Sequence, residues 1–138
     1  MASTGTHKLP AAIRKAEAKR TIRAELSTYN QSPRKVRLVT DMVKGKKIAD
    51  AVAALSFLPK RAALPIKKLI ESAVANGVAK GEDKDALRVA NIQVNSAGMI
   101  VKFMPRAMGR AAPVRKRRSN IIVTLSVETA VAPTAPAA

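Results

Sequence analysis

The sequence predicts an α+β domain: a three-stranded antiparallel sheet packed on three helices, with a long protruding β-hairpin. Three observations predict this fold. Residues 32–79 hold three segments with apolar residues at helical spacing, and residues 21–26, 88–95 and 121–127 alternate apolar and polar residues with period two. Between the last two strands, residues 99–120 carry seven cations and no acid. The element order is therefore strand, three helices and long hairpin.

The charge of the chain indicates a polyanionic partner. Net charge is +17 over 138 residues, from 26 Lys and Arg against nine acids, and nucleic acid is the commonest partner of such a chain. An anionic membrane surface is the alternative, although no apolar run reaches the roughly 18 residues of a spanning helix. The chain has no cysteine, which excludes disulfides and thiolate metal sites. Three aromatic residues are too few for a base-stacking platform of the RRM or OB kind.

The length fits one domain with flanking segments. Residues 1–19 are predicted to be a basic, flexible N-terminal extension, residues 20–128 the single domain, and residues 129–138 a disordered tail rich in Ala and Pro. This basic, acid-poor segment is also compatible with an organellar transit peptide, but it lacks the arginine-rich amphipathic pattern of such peptides. The first strand is predicted over residues 21–26, with Ile22, Ala24 and Leu26 on one face.

The first helix has the clearest boundaries. Ser32 suits the N-cap, Pro33 the first helical position and Gly45 the left-handed stop. Cations in its first turn, Arg34 and Lys35, are disfavoured by the helix dipole unless a phosphate binds there. The predicted apolar stripe consists of Val36, Leu38, Val39, Met42 and Val43.

Two further helices follow. The second is predicted over residues 47–58, where Pro59 stops it, and the third over residues 61–79, where Pro65 is tolerated in the first turn. In the second helix the inward residues are Ile48, Val52 and Leu55; in the third they are Ile66, Leu69, Ile70, Ala73 and Val74, with Lys67 and Lys68 outward. Residues 81–86 form an acidic turn that leads to the hairpin.

The hairpin is predicted to span about residues 88–128 and to turn at Met108 and Gly109. An apolar-on-apolar register sets Ala90 against Val127, Ile92 against Leu125 and Val94 against Val123. Arms of about 20 residues would reach roughly 60 Å, twice the roughly 30 Å width of the body, so the outer half must project. Pro105 and Pro113 are expected to end the regular ladder below the tip. A disordered basic loop is the alternative, but the stretch is too apolar for a solvated linker.

Nothing in the sequence predicts an enzyme, a cofactor or a metal site. The single histidine, His7, lies in the N-terminal extension, and the remaining ligand positions of an EF-hand are missing around Asp83 and Asp85. Asp41 and Asp50 are interpreted as balancing nearby cations, not as a catalytic pair. The glycines do not form a phosphate-binding loop.

Three motifs carry a family resemblance. S-P-R-K-V-R-L-V at 32–39, A-x-x-x-L followed by F-x-P-K-R-A within 51–62, and M-P-R-A-M-G-R-A at 104–111 resemble the bacterial-type large-subunit ribosomal protein L-twenty-two family, over about residues 20–128. The resemblance implies the same fold and a structural role in the large ribosomal subunit. It implies binding of large-subunit, 23S-type rRNA, support of rRNA assembly, and a hairpin that lines the nascent-peptide exit tunnel near the macrolide site.

The resemblance also implies partners and a location. The expected partners are rRNA, neighbouring large-subunit ribosomal proteins and the nascent polypeptide, with no membrane and no homo-oligomer. The expected location is the cytoplasmic ribosome, with an organellar ribosome as the alternative.

Site residues follow from matched motif positions and from the basic faces of the helices. The tip expected to line the tunnel is Met104, Pro105, Arg106, Ala107, Met108, Gly109, Arg110 and Ala111. The residues expected to bind rRNA are Arg34, Lys35, Arg37, Lys44, Lys46, Lys60, Arg61, Lys67, Lys68, Lys102, Arg106, Arg110, Arg115, Lys116, Arg117 and Arg118. The chain departs from the family at Arg118-Ser119-Asn120, where Thr-Ser-His is usual, and at Pro113-Val114, where a polar residue and isoleucine are usual.

Two other functions are compatible with the charge. An architectural DNA-binding protein of the HU-like kind would insert Pro105 into the minor groove, but this leaves the basic outer faces of the helices and the M-P-R-A-M-G-R-A motif unexplained. A membrane-surface protein would carry interfacial Trp and Phe, but this chain has no Trp and only two Phe.

Overall fold

The computed structural model describes residues 22–127. The predicted extension at 1–19, which includes His7, and the predicted tail at 129–138 lie outside the described residues. The division of the chain into these three parts therefore stays a prediction.

The predicted fold class is confirmed. The strands form one antiparallel sheet in the order β1-β3-β2, so that β3, the last strand in sequence, lies in the centre. None of the helices within residues 22–127 is long and apolar enough to cross a bilayer. The elements are β1 (Ile22–Tyr29), α1 (Pro33–Val43), α2 (Ile48–Phe57), α3 (Ala63–Val78), β2 (Leu87–Pro105) and β3 (Ala111–Val127), with short 3-10 turns at Lys84–Ala86 and Ala107–Gly109.

The core lies between the sheet and the helices. Ile66 and Ile70 of α3 are fully buried, as are Val123 of β3 and Val89 of β2. All five residues predicted to face inward on α3 are buried, and so are Ile22 and Ala24 of β1. Burial of each such side chain contributes about 1.5–3 kcal/mol, so this layer stabilises the body of the protein.

Helix α1 begins and ends where the sequence predicts. Ser32 is the N-cap, although its side chain makes no capping hydrogen bond, and Gly45 after the helix has φ +78°. The predicted stripe was wrong at Leu38 and Met42, which are 67% and 46% exposed. They lie outside the i, i+3/i+4, i+7 face that packs on the sheet. Thr40 is buried on that face together with Val36, Val39 and Val43, and its hydroxyl donates to the Arg37 carbonyl at 3.0 Å.

The predicted hairpin register was wrong by two or three residues. Val94 lies opposite Ile121, and Leu125 lies opposite Val89. One residue of this error arises at the turn, which the Pro105–Ala111 pair centres on Met108, and the rest arises from two β-bulges in β2, one between Val89 and Asn91 and one between Ser96 and Met99. Each bulge adds a residue to one strand and shifts its pairing. The first bulge also reverses the alternation of side chains, so Val89 is buried and Ala90 is exposed, against the prediction.

The outer hairpin, residues 99–117, projects from the body. No residue in it is buried, and the second bulge, which contains Gly98 at φ +81°, marks its base. The turn lies at Ala107–Gly109, as predicted, and the Arg106 amide donates to the Arg110 carbonyl at 2.7 Å.

The prolines do not end the ladder, contrary to prediction. Pairing continues through Phe103–Pro113 to Pro105–Ala111. Along an antiparallel ladder, hydrogen-bonded pairs alternate with pairs that are not hydrogen-bonded. The Arg106–Arg110 pair is hydrogen-bonded, and each of the two proline pairs lies an odd number of positions from it. The two proline pairs are therefore not hydrogen-bonded. Both proline nitrogens therefore point to the outer edges, where no donor is needed.

Candidate nucleic-acid interface

The predicted site residues are almost all accessible. Of the sixteen cations, Lys67 and Arg118 are half-buried and the other fourteen are exposed. All eight tip residues are exposed as well, with Met108 at 94%. Exposure alone does not show binding, so the placement of the cations relative to one another decides what the surface can hold.

The densest cluster lines a groove between the body and the hairpin, the stem groove. One wall comes from the segment that enters α1 and from Arg61 in the α2–α3 connection, and the other comes from the hairpin stem. The groove is lined by Asn30, Gln31, Ser32, Lys35, Arg61, Ile100, Lys102, Arg115, Lys116, Arg117 and Arg118. Among residues 22–127, seven cations and no acid face this space. Such like charges repel unless an anion lies between them, so the groove is suited to a phosphate backbone.

A second groove at the start of α1, the helix groove, continues the first. It is lined by Ser32, Pro33, Arg34, Lys35, Arg37, Ser96 and Arg117, three of which also line the stem groove. The positive end of the α1 dipole lies here among four cations. An anion bound at this end would stabilise both Arg34 and Lys35 and offset their unfavourable position in the first turn.

Arg37 has a structural contact that its sequence position did not predict. Its Nη2 donates to the carbonyl of Val94 at 2.9 Å and thereby links α1 to β2. The guanidinium has further N–H groups, so contact with an anion in the helix groove remains compatible with this hydrogen bond. Arg37→Ala would thus remove a stabilising contact as well as a charge.

Two polar atoms in the wall of the stem groove are buried and have no hydrogen-bond partner within the described part of the chain. They are Nε of Arg118 and Oε1 of Gln31. An unsatisfied buried polar atom costs about 1–3 kcal/mol. A phosphate oxygen that reached the Arg118 Nε–H would satisfy that donor, whereas the Gln31 Oε1 is an acceptor and needs a donor.

The tip brings two predicted phosphate ligands face to face. Arg106 and Arg110 flank the turn and are joined by the backbone hydrogen bond described above. Like charges directly across a ribbon are destabilising. Together with Lys102 they give the outer hairpin a cationic surface along its length.

Other predicted cations lie apart from the two grooves. Nζ of Lys67 donates to Oγ of Ser56 at 3.0 Å, and Lys68 lines a shallow apolar groove beside Leu26. Lys44 and Lys46 flank Gly45 in the loop after α1. The Gly45 amide donates to the carbonyl of Val89 at 2.8 Å, so the backbone of this loop pairs with β2. The structure therefore gathers only part of the predicted set into one surface.

None of the acids within residues 22–127 lines either groove. Glu71 and Asp85 line a groove on another face together with Lys47, Lys84 and apolar residues of α2 and α3. Residues 22–127 contain no group of three side chains placed to hold a metal ion. The body thus has one face that attracts a polyanion strongly and another that attracts it weakly.

Sequence reasoning missed the polar residues of the grooves, among them Asn30, Gln31 and Ser96. No local motif marks them, because they become neighbours of the cations only when the hairpin folds back beside α1. Asn120, noted above as a departure from the family, is structural. Its Oδ1 accepts from the Thr28 amide at 2.8 Å, where Thr28 has φ +52° at an irregularity in β1.

Comparison with known proteins identifies the family. The family model described as ribosomal protein L22p/L17e matches residues 24–126. A protein from Pelobacter propionicus named large ribosomal subunit protein uL22 is 50% identical over 104 residues, which are 75% of this chain and 94% of the relative. Proteins of the same name from Geobacter sulfurreducens and Syntrophotalea carbinolica are 48% and 46% identical, over 75% of this chain and 94% and 96% of their own lengths.

The match confirms several predictions. The resemblance seen in the motifs is confirmed, as is the bacterial type, and bacterial relatives of this kind indicate the cytoplasmic ribosome. The family is one of structural proteins, which confirms that the chain is not an enzyme. The chain belongs to the ribosomal protein L22p/L17e family.

Proposed function

We propose that the chain is a structural component of the large ribosomal subunit that binds large-subunit rRNA through the stem and helix grooves. One observation carries this proposal: two elements distant in sequence, α1 and the hairpin stem, form a continuous cationic surface without an acid. Its family membership and the names of its relatives support the same role.

Binding rests on charge and shape. Each Lys or Arg that neutralises a phosphate releases a condensed counterion, so the affinity of the free protein for RNA should fall steeply with salt. Helical RNA displays its phosphates and 2′-hydroxyls more readily than its base edges. The grooves present cations and small polar groups, which suit that backbone. By holding separate RNA segments against α1 and the stem, the protein would support assembly of the subunit.

The outer hairpin would extend this contact into the interior of the subunit and line the peptide exit tunnel with its tip. Small residues at the turn, Ala107, Gly109, Ala111 and Ala112, keep the tip narrow, and the exposed Met104 and Met108 would face the nascent polypeptide. The Arg106 and Arg110 guanidiniums would bind phosphates of the tunnel wall.

Fractionation of native lysate on a sucrose gradient tests the main proposal. The lysate is untreated, treated with RNase or treated with DNase, and the protein is followed through the gradient. Migration with the large subunit that is lost only after RNase is the expected result. Release by DNase alone would contradict it and favour the DNA-binding alternative.

A separate experiment tests the tunnel. Ala107→Trp adds bulk at the turn, and Ala75→Trp, on an exposed position of α3, is the matched control. Cells that carry Ala107→Trp should assemble large subunits but grow slowly or change their macrolide sensitivity, whereas the control should not. Unchanged growth and unchanged sensitivity with Ala107→Trp would contradict a tip that lines the tunnel.

A further inference from the structure

One aromatic side chain has no role in the body or in the grooves. Phe57, the last residue of α2, is 88% exposed, and among the large apolar side chains of residues 22–127 only Met108 at the tip is more exposed. An exposed phenyl ring lacks the stabilisation that burial in the core would give it. A ring held in this position is therefore well suited to contact a partner.

The surroundings of Phe57 are cationic. Lys60 and Arg61 follow it in the α2–α3 connection, and the sequence holds no acid from residue 51 to residue 70. Lys67 reaches back from α3, since its Nζ donates to Oγ of Ser56, the residue before Phe57. A flat apolar ring among cations is complementary to a nucleotide, which presents a phosphate and the face of a base. An acidic protein would match the cations but has no particular match to the ring.

The backbone around Phe57 is fixed. The next residue, Leu58, packs against the core, and its carbonyl accepts from the Lys60 amide at 2.8 Å. The Tyr29 hydroxyl donates to the carbonyl of Arg61 at 3.3 Å and so ties the connection to β1. A fixed position lowers the entropy lost when the ring meets a partner.

Phe57 is also close to the proposed RNA path. Arg61 lines the stem groove, and four residues of chain span at most about 14 Å. Phe57 and Arg61 are therefore close enough for one RNA segment to contact both.

We propose that Phe57 stacks on an unpaired nucleobase of the RNA whose backbone occupies the stem groove. This rests on the proposed function. The small number of aromatic residues argues against a multi-base platform, but one ring is enough for one base, and such contacts tolerate any base because each has a π-face.

Equilibrium binding of the full-length chain to large-subunit rRNA tests the stack. Phe57→Ala should weaken binding about tenfold, within the range measured for loss of one base–aromatic stack, and should leave the salt dependence unchanged because no charge is lost. Phe57→Tyr keeps the ring and should bind like the wild type. Leu64→Ala, also at an exposed apolar position, is the matched control and should have no effect.

The outcomes separate the two proposals. Wild-type affinity in Phe57→Ala, together with normal binding of RNA by the wild type, would overturn the stack and leave the proposed function standing. Failure of the wild type to bind rRNA would overturn both. Replacement of Phe57 by photoreactive p-benzoylphenylalanine in assembled subunits identifies the partner directly. Crosslinks to rRNA are expected, and crosslinks only to a neighbouring protein would overturn the stack.

Discussion

Strands β2 and β3 run continuously from the body into the hairpin, yet their two halves have different surroundings. In the inner half, Val89, Ile121 and Val123 are fully buried under the helices. In the outer half, from Met99 to Arg117, the same antiparallel ladder continues with no buried residue. The inner half alternates apolar and polar residues, whereas the outer half carries cations and prolines at positions where a core would need apolar side chains.

The two halves share one hydrogen-bonded ladder and differ in what covers it. An isolated two-stranded hairpin is marginal unless a helix or another strand covers one face. The inner half has such cover, and the outer half has only a cationic surface. We infer that the body folds by burial and that the outer hairpin would be ordered mainly by binding of the proposed RNA partner.

The largest expected effect comes from the core. Ile70→Ala removes a fully buried side chain of α3 and should lower the free energy of unfolding by about 2–5 kcal/mol. Val101→Ala in the outer hairpin, where the side chain is 45% exposed, should change it by less than about 0.5 kcal/mol. Urea unfolding followed by circular dichroism measures both. Equal losses would show that the outer hairpin is part of the cooperative core.

The next largest effect is expected when a cation is removed from the two grooves. Arg117 lines both grooves, so Arg117→Ala should cost about 2 kcal/mol of rRNA binding and lower the slope of log K against log salt by nearly one. Stability of the free protein should hardly change. Lys84→Ala, in the groove that contains Glu71, is the control and should leave both the affinity and the slope nearly unchanged. Equal losses of RNA affinity in the two variants would mean that binding depends on the net charge of the protein and not on the position of a cation in the grooves.

A smaller effect distinguishes two glycines with positive φ. Gly45 has φ +78° after α1 and Gly98 has φ +81° at the base of the outer hairpin, both with open space where a Cβ would lie. Alanine in this backbone region costs about 1–2 kcal/mol. Gly45→Ala should lower the unfolding free energy by that amount, whereas Gly98→Ala should lower RNA affinity and leave the unfolding free energy nearly unchanged. A loss of global stability in Gly98→Ala would contradict the separation of the two halves.

The smallest effect is expected at the tip. Met108 has φ +58°, so Met108→Gly relieves local backbone strain. Because the turn is remote from the core, the unfolding free energy should change by less than about 0.5 kcal/mol. A thermal unfolding scan of the two proteins checks this, and a clear rise in the midpoint would link the tip to the stability of the body.

The helices and their buried residues could be predicted because their signals are local. Pro33 and Gly45 bound α1, and the apolar spacing of α3 gives its inward face without knowledge of the rest of the chain. Leu38 and Met42 were assigned wrongly to the core because hydrophobicity alone does not tell how wide a face the sheet covers.

The hairpin register could not be predicted in the same way. It depends on one extra residue at each of two bulges, and packing of the sheet on the helices decides where that residue lies. Gly98 is consistent with the second bulge, since glycine readily adopts a positive φ. Ala90, at the first bulge, has no chemistry that marks its position. The cations were likewise identified one by one, whereas the convergence of Lys35, Arg61 and the stem into one groove depends on contacts between distant segments.

Amide hydrogen exchange tests the central claim most directly. It is measured by mass spectrometry on the free full-length chain and on the chain bound to large-subunit rRNA. We expect α3 and the inner half of β3 to be protected in both states. Residues 99–117 should exchange rapidly in the free chain and slow strongly on RNA binding. Protection of residues 99–117 in the free chain equal to that of α3, or no gain of protection on RNA, would contradict a hairpin ordered by its RNA.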